Sequence, residues 1–354
     1  MIETEVIGRL ENRDVKAFIV SNAQGMKAKI IEFGATLTEL HAADRQGRFA
    51  DVVLGYDRLD DYVKTETYFG AICGRYGNRI ARGEFSIDGQ HYRTSCNEGR
   101  NQVHGGLMGF DKRLWEGKIS EDGRGVVMAY LSRHGEEGYP GNLDLKVGFT
   151  LDDNNRFTIE ITAKADMPTL CNPVHHSYWN LAGHASGDVL NHELTILADF
   201  YTPVDNELIA TGEILRVRGT PYDFTELKPI GRDLLAIDNQ GGGRSQDESG
   251  GYDHNWVLRG FAGEMKPAVR AIDAASGRGF ELSTSEPGVQ FYTGGYLNES
   301  IVGKGGHAYC RYAGFTLETQ RFPDSPNEGH FPQARLYPGQ TYSHRMEFQF
   351  IKIN

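Results

Sequence analysis

The sequence predicts an all-β protein, a large antiparallel β-sandwich, on three observations. Forty-four glycines against twelve prolines punctuate the 354 residues with frequent turns. The segments between them are short, β-branched or aromatic, and alternate apolar with polar residues at a period of two. This alternation recurs from near residue 16 to the end with no Pro- or Ser-rich linker, so the chain reads as one domain over 1–354.

Taken in chain order, Phe85-Ser-Ile-Asp-Gly-Gln-His-Tyr carries Asp88-Gly89, a strong two-residue hairpin signal. Phe157-Thr-Ile-Glu-Ile-Thr-Ala alternates as a half-buried strand. Leu194, Ile196, Ala198 and Phe200 alternate with Thr195 and Asp199, and the spacing predicts one strand with those four residues inward. After Pro229, Gly231 to Ile237 has weak helical spacing and is the one short helix candidate. Gln240 to Gly251 is the only low-complexity stretch and reads as a surface loop. At the end, Met346, Phe348 and Phe350 alternate with Glu347 and Gln349, a final strand.

The charge balance is 37 basic against 48 acidic residues, net −11, which disfavours nucleic acid and anionic membranes as partners. Cys73, Cys96, Cys171 and Cys310 are widely spaced without a C-x-x-C pair, so neither a zinc ribbon nor a disulfide framework is encoded. Reduced thiols, and Glu3 and Glu5 where an export signal needs a basic start and an apolar run, predict a cytoplasmic location. The nucleotide, zinc-protease and serine-hydrolase signatures G-x-G-x-x-G, G-x-x-x-x-G-K-[ST], H-E-x-x-H and G-x-S-x-G are all absent.

What remains is a series of polar clusters beside glycines and aromatics. Gly74 to Gly83 holds Arg75, Arg79, Arg82 and Asn78; arginine forks suit oxygen-rich ligands, although such a stretch is also an ordinary turn with solvated arginines. His104 precedes Gly105-Gly106, where missing side chains admit a ligand to the backbone, or simply make a turn. In Asn172 to Leu181, an extended chain places His176 on one face with Tyr178, and His175 on the other with Ser177 and Trp179. A packed core histidine explains the same pattern, and a metal reading needs a third ligand, for which His184 is the nearby candidate. Gly251 to Trp256 carries Asp253, and Ser285 to Thr293 carries Gln290. In Gly314 to Gln320, Phe315 and Leu317 point to the core, leaving Thr316, Glu318 and Gln320 on the opposite face. Carboxylates, amides, histidines and an arginine among Tyr178, Trp256 and Phe291 suit a neutral polyhydroxylated ligand, a sugar.

Six of these words in order resemble the aldose 1-epimerases, the galactose mutarotases among them. They are Gly-Asn-Arg-Ile-Ala (77–81), His-Gly-Gly (104–106), Asn-Pro-Val-His-His-Ser-Tyr-Trp-Asn-Leu (172–181), Gly-Tyr-Asp-His-Asn (251–255), Ser-Glu-Pro-Gly-Val-Gln-Phe-Tyr-Thr-Gly (285–294) and Leu-Glu-Thr-Gln (317–320). The resemblance implies a β-sandwich of the mutarotase type, no metal and no cofactor, and interconversion of the α and β anomers of a free aldose such as D-galactose or D-glucose. It also implies roles: Glu318 as base, His176 as acid, His104 as a further histidine near the ring oxygen, and Asn78, Arg79, Asp253 and Gln290 holding the sugar, with Tyr178 beside it. One departure is His175, where better-known members carry Asn.

Opening a hemiacetal takes a proton from the anomeric hydroxyl and puts one on the ring oxygen, so one base and one acid suffice. For Glu318 to be charged and His176 protonated together near neutrality, an upward-shifted His176, held by a nearby carboxylate, is expected. Competing readings are a non-catalytic carbohydrate-binding protein, a glycoside hydrolase or lyase using Glu318 with Asp253, and a hexose-6-phosphate epimerase served by the arginines between 75 and 82. Oligomeric state and preferred aldose are not legible in the sequence.

Overall fold

In the computed structural model, residues 1–237 and 250–353 are described. The Gln240–Gly251 segment therefore lies, apart from its last two residues, outside the described residues. Three large sheets carry the fold, and every strand pair in them is antiparallel. A five-stranded meander runs from Ile2–Leu10 to Phe49–Asp51. A nine-stranded sheet spans Glu116–Ile119 at one edge to Lys228–Pro229 at the other. A second five-stranded sheet is built from Leu215–Arg216, Ala198–Thr202, Asp253–Leu258, Gly288–Tyr292 and Thr316–Gln320, in that order.

The predicted final strand is Tyr342–Lys352, and it sits inside the nine-stranded sheet between Arg156–Ala165 and Arg278–Thr284. Its alternation meets matching alternation on both sides: Phe348 lies opposite Phe157 on one neighbour and Leu282 on the other. One continuous hydrophobic cluster joins all three sheets, with Phe18 and Val20 from the first, Phe149, Ile159 and Phe348 from the second, and Trp256, Phe291 and Leu317 from the third. Trp179 is fully buried there, its ring centroid 4.9 Å from that of Phe348. The Asp88-Gly89 hairpin is present between Glu84–Ile87 and Gln90–Arg93, with φ of 51° and 81° at the two turn residues, as a type I′ turn requires.

Three expectations are corrected. The 194–200 run is two strands in different sheets: Glu193–Ile196 belongs to the nine-stranded sheet and Ala198–Thr202 to the five-stranded one. A bulge between Ala198 and Phe200 shifts the alternation by one residue, so Tyr201 is buried and Phe200 is only half-buried. The helix candidate is a 3-10 helix, Ile230–Ala236, and a six-residue α-helix, Leu59–Lys64, is a feature the sequence reading missed. Of the arginines, Arg75 is buried and structural, donating to Ser132, Thr169 and the carbonyls of Ser132, Arg133, Pro140 and Gly141.

Burial also keeps several histidines uncharged. Desolvation holds His175, His254 and His344 down to about 3, and His176 and His192 down to about 4. Below about pH 6.5 the unfolded chain therefore binds protons that the folded chain refuses until about pH 3–4, each such group removing up to ~1.4 kcal/mol of stability per pH unit. Glu318, raised in the folded state to about 8, has the opposite sign and destabilises the fold progressively as pH rises from about 4.5 to 8. We expect the thermal midpoint to fall steeply from pH 6.5 to pH 4.5, with calorimetry recording a net uptake of several protons on unfolding. A midpoint that stays level across that range would show that these imidazoles are not held neutral.

Candidate active site

The site starts from sheet periodicity. Across three adjacent strands, Asn255 lies opposite Gln290 and Gln290 opposite Glu318, with Asp253 opposite Tyr292 and Tyr292 opposite Thr316. These side chains therefore share one face, while Trp256, Phe291 and Leu317 enter the core from the other. Behind the site the amides tie together, Gln320 Nε2 donating to Asn255 Oδ1 and Gln290 Oε1 at 3.3 Å each. A Cβ at Gly288 would stand 2.4 Å from Asn255 Oδ1, so only glycine fits in this row.

His176 follows the short strand Val174–His175, which pairs with Ile72–Cys73. Its backbone is bolted at both ends, His176 N–H donating to Ala71 O and Gly70 N–H donating to His176 O. As predicted, His176 and Tyr178 share the cleft face, ring centroids 5.2 Å apart, and Trp179 anchors the segment in the core. His175 is buried behind them, and neither ring nitrogen has a partner among the described residues.

A clasp of two left-handed residues brings in the second histidine. His104 (φ 52°) donates its backbone N–H to Asn78 O at 3.0 Å, and Asn78 (φ 61°) donates its own to His104 Nδ1 at 3.3 Å. Nδ1 is thus an acceptor, and the neutral ring carries its proton on Nε2. The next residue, Gly105 (φ 95°), passes so close to Gly74 that a Cβ would lie 1.9 Å from its carbonyl oxygen. The His104 and His176 rings meet edge to face at 4.8 Å.

Together these elements line a cleft of about 500 Å³. Seven of the eight predicted residues border it: Asn78, Arg79, His104, His176, Tyr178, Asp253 and Glu318. Gln290 does not; it stands in the same cross-strand row as Glu318 and donates to Asp253 Oδ1 at 2.7 Å, orienting that carboxylate instead of lining the cleft. The sequence reading missed Tyr68, Glu98, Asp111 and Tyr292 on the lining. Tyr292 carried a signal, the same alternation as Gln290, whereas Tyr68 in a loop and Asp111 in the 3-10 turn Phe110–Lys112 carried none.

Glu318 Oε1 lies 3.4 Å from His176 Nε2 and accepts from Thr316 Oγ1 at 2.9 Å, while Glu318 Oε2 and His176 Nδ1 have no partner among the described residues. Burial dominates both groups. It pushes Glu318 up to about 8 and His176 down to about 4, so between those values the pair holds one proton, resting on the carboxyl. The expected upward shift of His176 is thus overturned: the nearby carboxyl is Glu318 itself, which keeps its own proton, and desolvation lowers His176. Burial, with His176 and Arg79 nearby, also holds His104 well below the usual imidazole range.

Arg79 is gripped from two sides, by Glu98 through Nε and Nη2 at 2.5 and 2.9 Å and by Asp253 at 3.6 Å. Burial opposes its charge, yet these carboxylates raise it above the ordinary value, and burial raises Asp253 in turn. As for metals, His104, His176 and Glu318 present ligand atoms within 4.8 Å of one another, and so do Glu39, His41 and Asp51. His184, the third ligand considered from sequence, is elsewhere, its Nδ1 3.1 Å from Tyr309 OH.

The aldose 1-epimerase family model matches residues 16–349. Galactose mutarotases of Bos taurus and Homo sapiens are each 43% identical over 92% of this chain and 91% of their own length, and the aldose 1-epimerase of Escherichia coli is 35% identical over 96% of both. Among solved structures, an aldose epimerase homologue from C. elegans superposes with a TM-score of 0.85 at 30% identity, covering 95% of this chain and 98% of its own. The galactose 1-epimerase of Lactobacillus acidophilus gives 0.83 at 26%, covering 100% and 99%. With likeness of this extent in both sequence and fold, the chain belongs to the aldose 1-epimerase family.

Proposed function

We propose that this isomerase interconverts the α and β anomers of a free aldose, D-galactose or D-glucose among them, with Glu318 as the base for the anomeric hydroxyl and His176 as the acid for the ring oxygen. The observation that carries this reading is the 3.4 Å Glu318–His176 contact on the cleft wall. Anomeric hydroxyl and ring oxygen are both bonded to C1, so an acid and a base this close can serve both at once. The proton resting on Glu318 passes to His176 without changing the charge of the pair. Glu318 then removes the O1 proton as His176 protonates the ring oxygen, the C1–O5 bond breaks, and the open-chain aldehyde forms. Rotation about C1–C2 presents the other carbonyl face, and on closure His176 takes the proton from O5 as it attacks C1 while Glu318 returns its proton to O1. His104 offers Nε2–H as a second donor beside the ring oxygen. Arg79, Asn78 and Asp253, the last steadied by Gln290, hold the sugar hydroxyls, with Tyr178 beside the ring.

The relatives named galactose mutarotase and aldose 1-epimerase support the same reaction class. A hexose phosphate fits poorly: Arg75 is occupied in the fold, Arg79 is engaged by two carboxylates, and Glu66, Glu98, Asp111, Asp253 and Glu318 line the cleft against Arg79 and Lys112. All four cysteines are free thiols, in keeping with a reducing cytoplasm, and no helix among the described residues is long and apolar enough to cross a membrane.

Polarimetry of freshly dissolved α-D-galactose tests the assignment. Glu318→Gln should slow mutarotation by roughly 100-fold or more while sugar binding survives in part; near wild-type turnover would remove Glu318 from the mechanism. The shared proton sets the pH dependence. Above about 8 the pair keeps its base and loses its acid, and below about 4 the reverse holds, so the rate should run level through pH 6.5 and decline above about 8. A decline centred near 6.5 would mean that His176 titrates as an ordinary imidazole. Finally, prolonged dialysis against EDTA should leave rate and thermal midpoint unchanged, whereas a loss restored specifically by Zn²⁺ would assign His104, His176 and Glu318 to a metal.

A further inference from the structure

Tyr68 stands on the cleft wall against both histidines, its ring centroid 4.7 Å from that of His104 and 5.6 Å from that of His176. With the 4.8 Å edge-to-face contact between the imidazoles, the three rings form a closed triangle. The backbone is strained to achieve this. Tyr68 has φ +58°, a left-handed conformation that a bulky side chain adopts at a cost, and such strain persists where the surroundings over-determine it. Those surroundings are visible. Ala71 N–H donates to Tyr68 O and closes the turn, and Leu37 N–H donates to Gly70 O. A Cβ at Gly70 would lie 2.0 Å from Leu37 O, so the turn is pressed onto the sheet. Through Gly70 N–H to His176 O and His176 N–H to Ala71 O, the same turn is fastened to the backbone of His176. The phenol oxygen, in contrast, makes no hydrogen bond to the described residues.

We propose that Tyr68 is a positioning residue, whose ring forms the third side of an aromatic cage that holds His104 and His176 at their working angle and keeps water off both. The inference rests on the acid–base reading above. The charged and titratable groups facing this corner are Glu66, Asp111 and Cys73 beside the phenol, Glu98 and Arg79 across the cleft, and Lys112 next to Asp111. Glu318 meets His176 at 3.4 Å and Tyr178 packs on it at 5.2 Å, but among the described residues Tyr68 is the one aromatic side chain packed against both imidazoles.

Three variants separate the ring, the hydroxyl and the backbone. Tyr68→Phe should keep kcat within about threefold of wild type, because ring packing is retained. Tyr68→Ala should lower kcat by roughly 10- to 100-fold with KM changed less, since the sugar-holding groups are untouched. The acid limb of its pH–rate profile should also move up toward 6.5 as the imidazoles rehydrate. Tyr68→Gly should melt higher than Tyr68→Ala, because glycine accepts positive φ without strain, yet be as slow. Wild-type kcat and an unmoved acid limb in Tyr68→Ala or Tyr68→Gly would overturn the proposal, even with a lowered melting point. A Tyr68→Phe variant as slow as Tyr68→Ala would overturn it too, by making the hydroxyl the working group. Glu318→Gln, measured alongside, distinguishes the failures: slow Glu318→Gln with fast Tyr68→Ala removes only the cage, whereas fast turnover in both removes the acid–base reading beneath it.

Discussion

The structure depends on one electrostatic constraint: a carboxyl and an imidazole buried 3.4 Å apart in a site too dry to charge both freely. In water a glutamate gives up its proton well below neutrality and an imidazole keeps one to about 6.5. Here desolvation reverses the order, and the pair keeps one proton over a range centred near neutral pH. The acid and base roles proposed for this pair need that proton count, one proton for two groups, and burial supplies it without a further charged residue.

The rest of the fold keeps the pair both buried and reachable. Glu318 is carried by the edge strand of the second five-stranded sheet, where its face is set by the pleat and by pairing with Gly288–Tyr292, and a hydroxyl two residues away already occupies one of its oxygens. His176 hangs between a sheet-pinned turn and the Trp179 core anchor, so its ring has little freedom to turn away. The nine-stranded sheet contributes no cleft residue, but its central C-terminal strand backs Trp179 through Phe348 and so sets the floor beneath the site. A strand holds Glu318 while turns hold His104 and His176, so that a packed sandwich presents a polar cleft.

Charge containment at Arg79 shows the same economy. A buried guanidinium costs a great deal unless it is paired, and Glu98, through both its oxygens, and Asp253 supply the pairs. The arrangement favours hydroxyls over phosphates because its cation is already neutralised. Gln290 completes it from behind, which is why a residue of the right type in the right strand serves the site without touching the cleft.

Period-two patterning was enough to determine that the chain is all-β, that the run ending at Phe350 is a strand, and that His176 pairs with Tyr178 and Glu318 with Thr316 on polar faces, because in a strand the face of a side chain follows from its position alone. Two left-handed hairpin residues at Asp88-Gly89 were equally legible, since their conformation is local. Other features were decided only by tertiary structure. The change of sheet between Ile196 and Ala198 answers to neighbours more than fifty residues away, and the bulge after Ala198 moves Phe200 outward against its own alternation. Tyr68 reaches the histidines from a loop with no periodic signal, and Gln290, on the predicted face, turns to Asp253 and not to the cleft. The protonation of Glu318 and His176 lies furthest from the sequence, because desolvation depends on everything packed around a group, and at this site that shell comes from segments near residues 70, 104, 176, 253 and 318 that meet only when the sheets close.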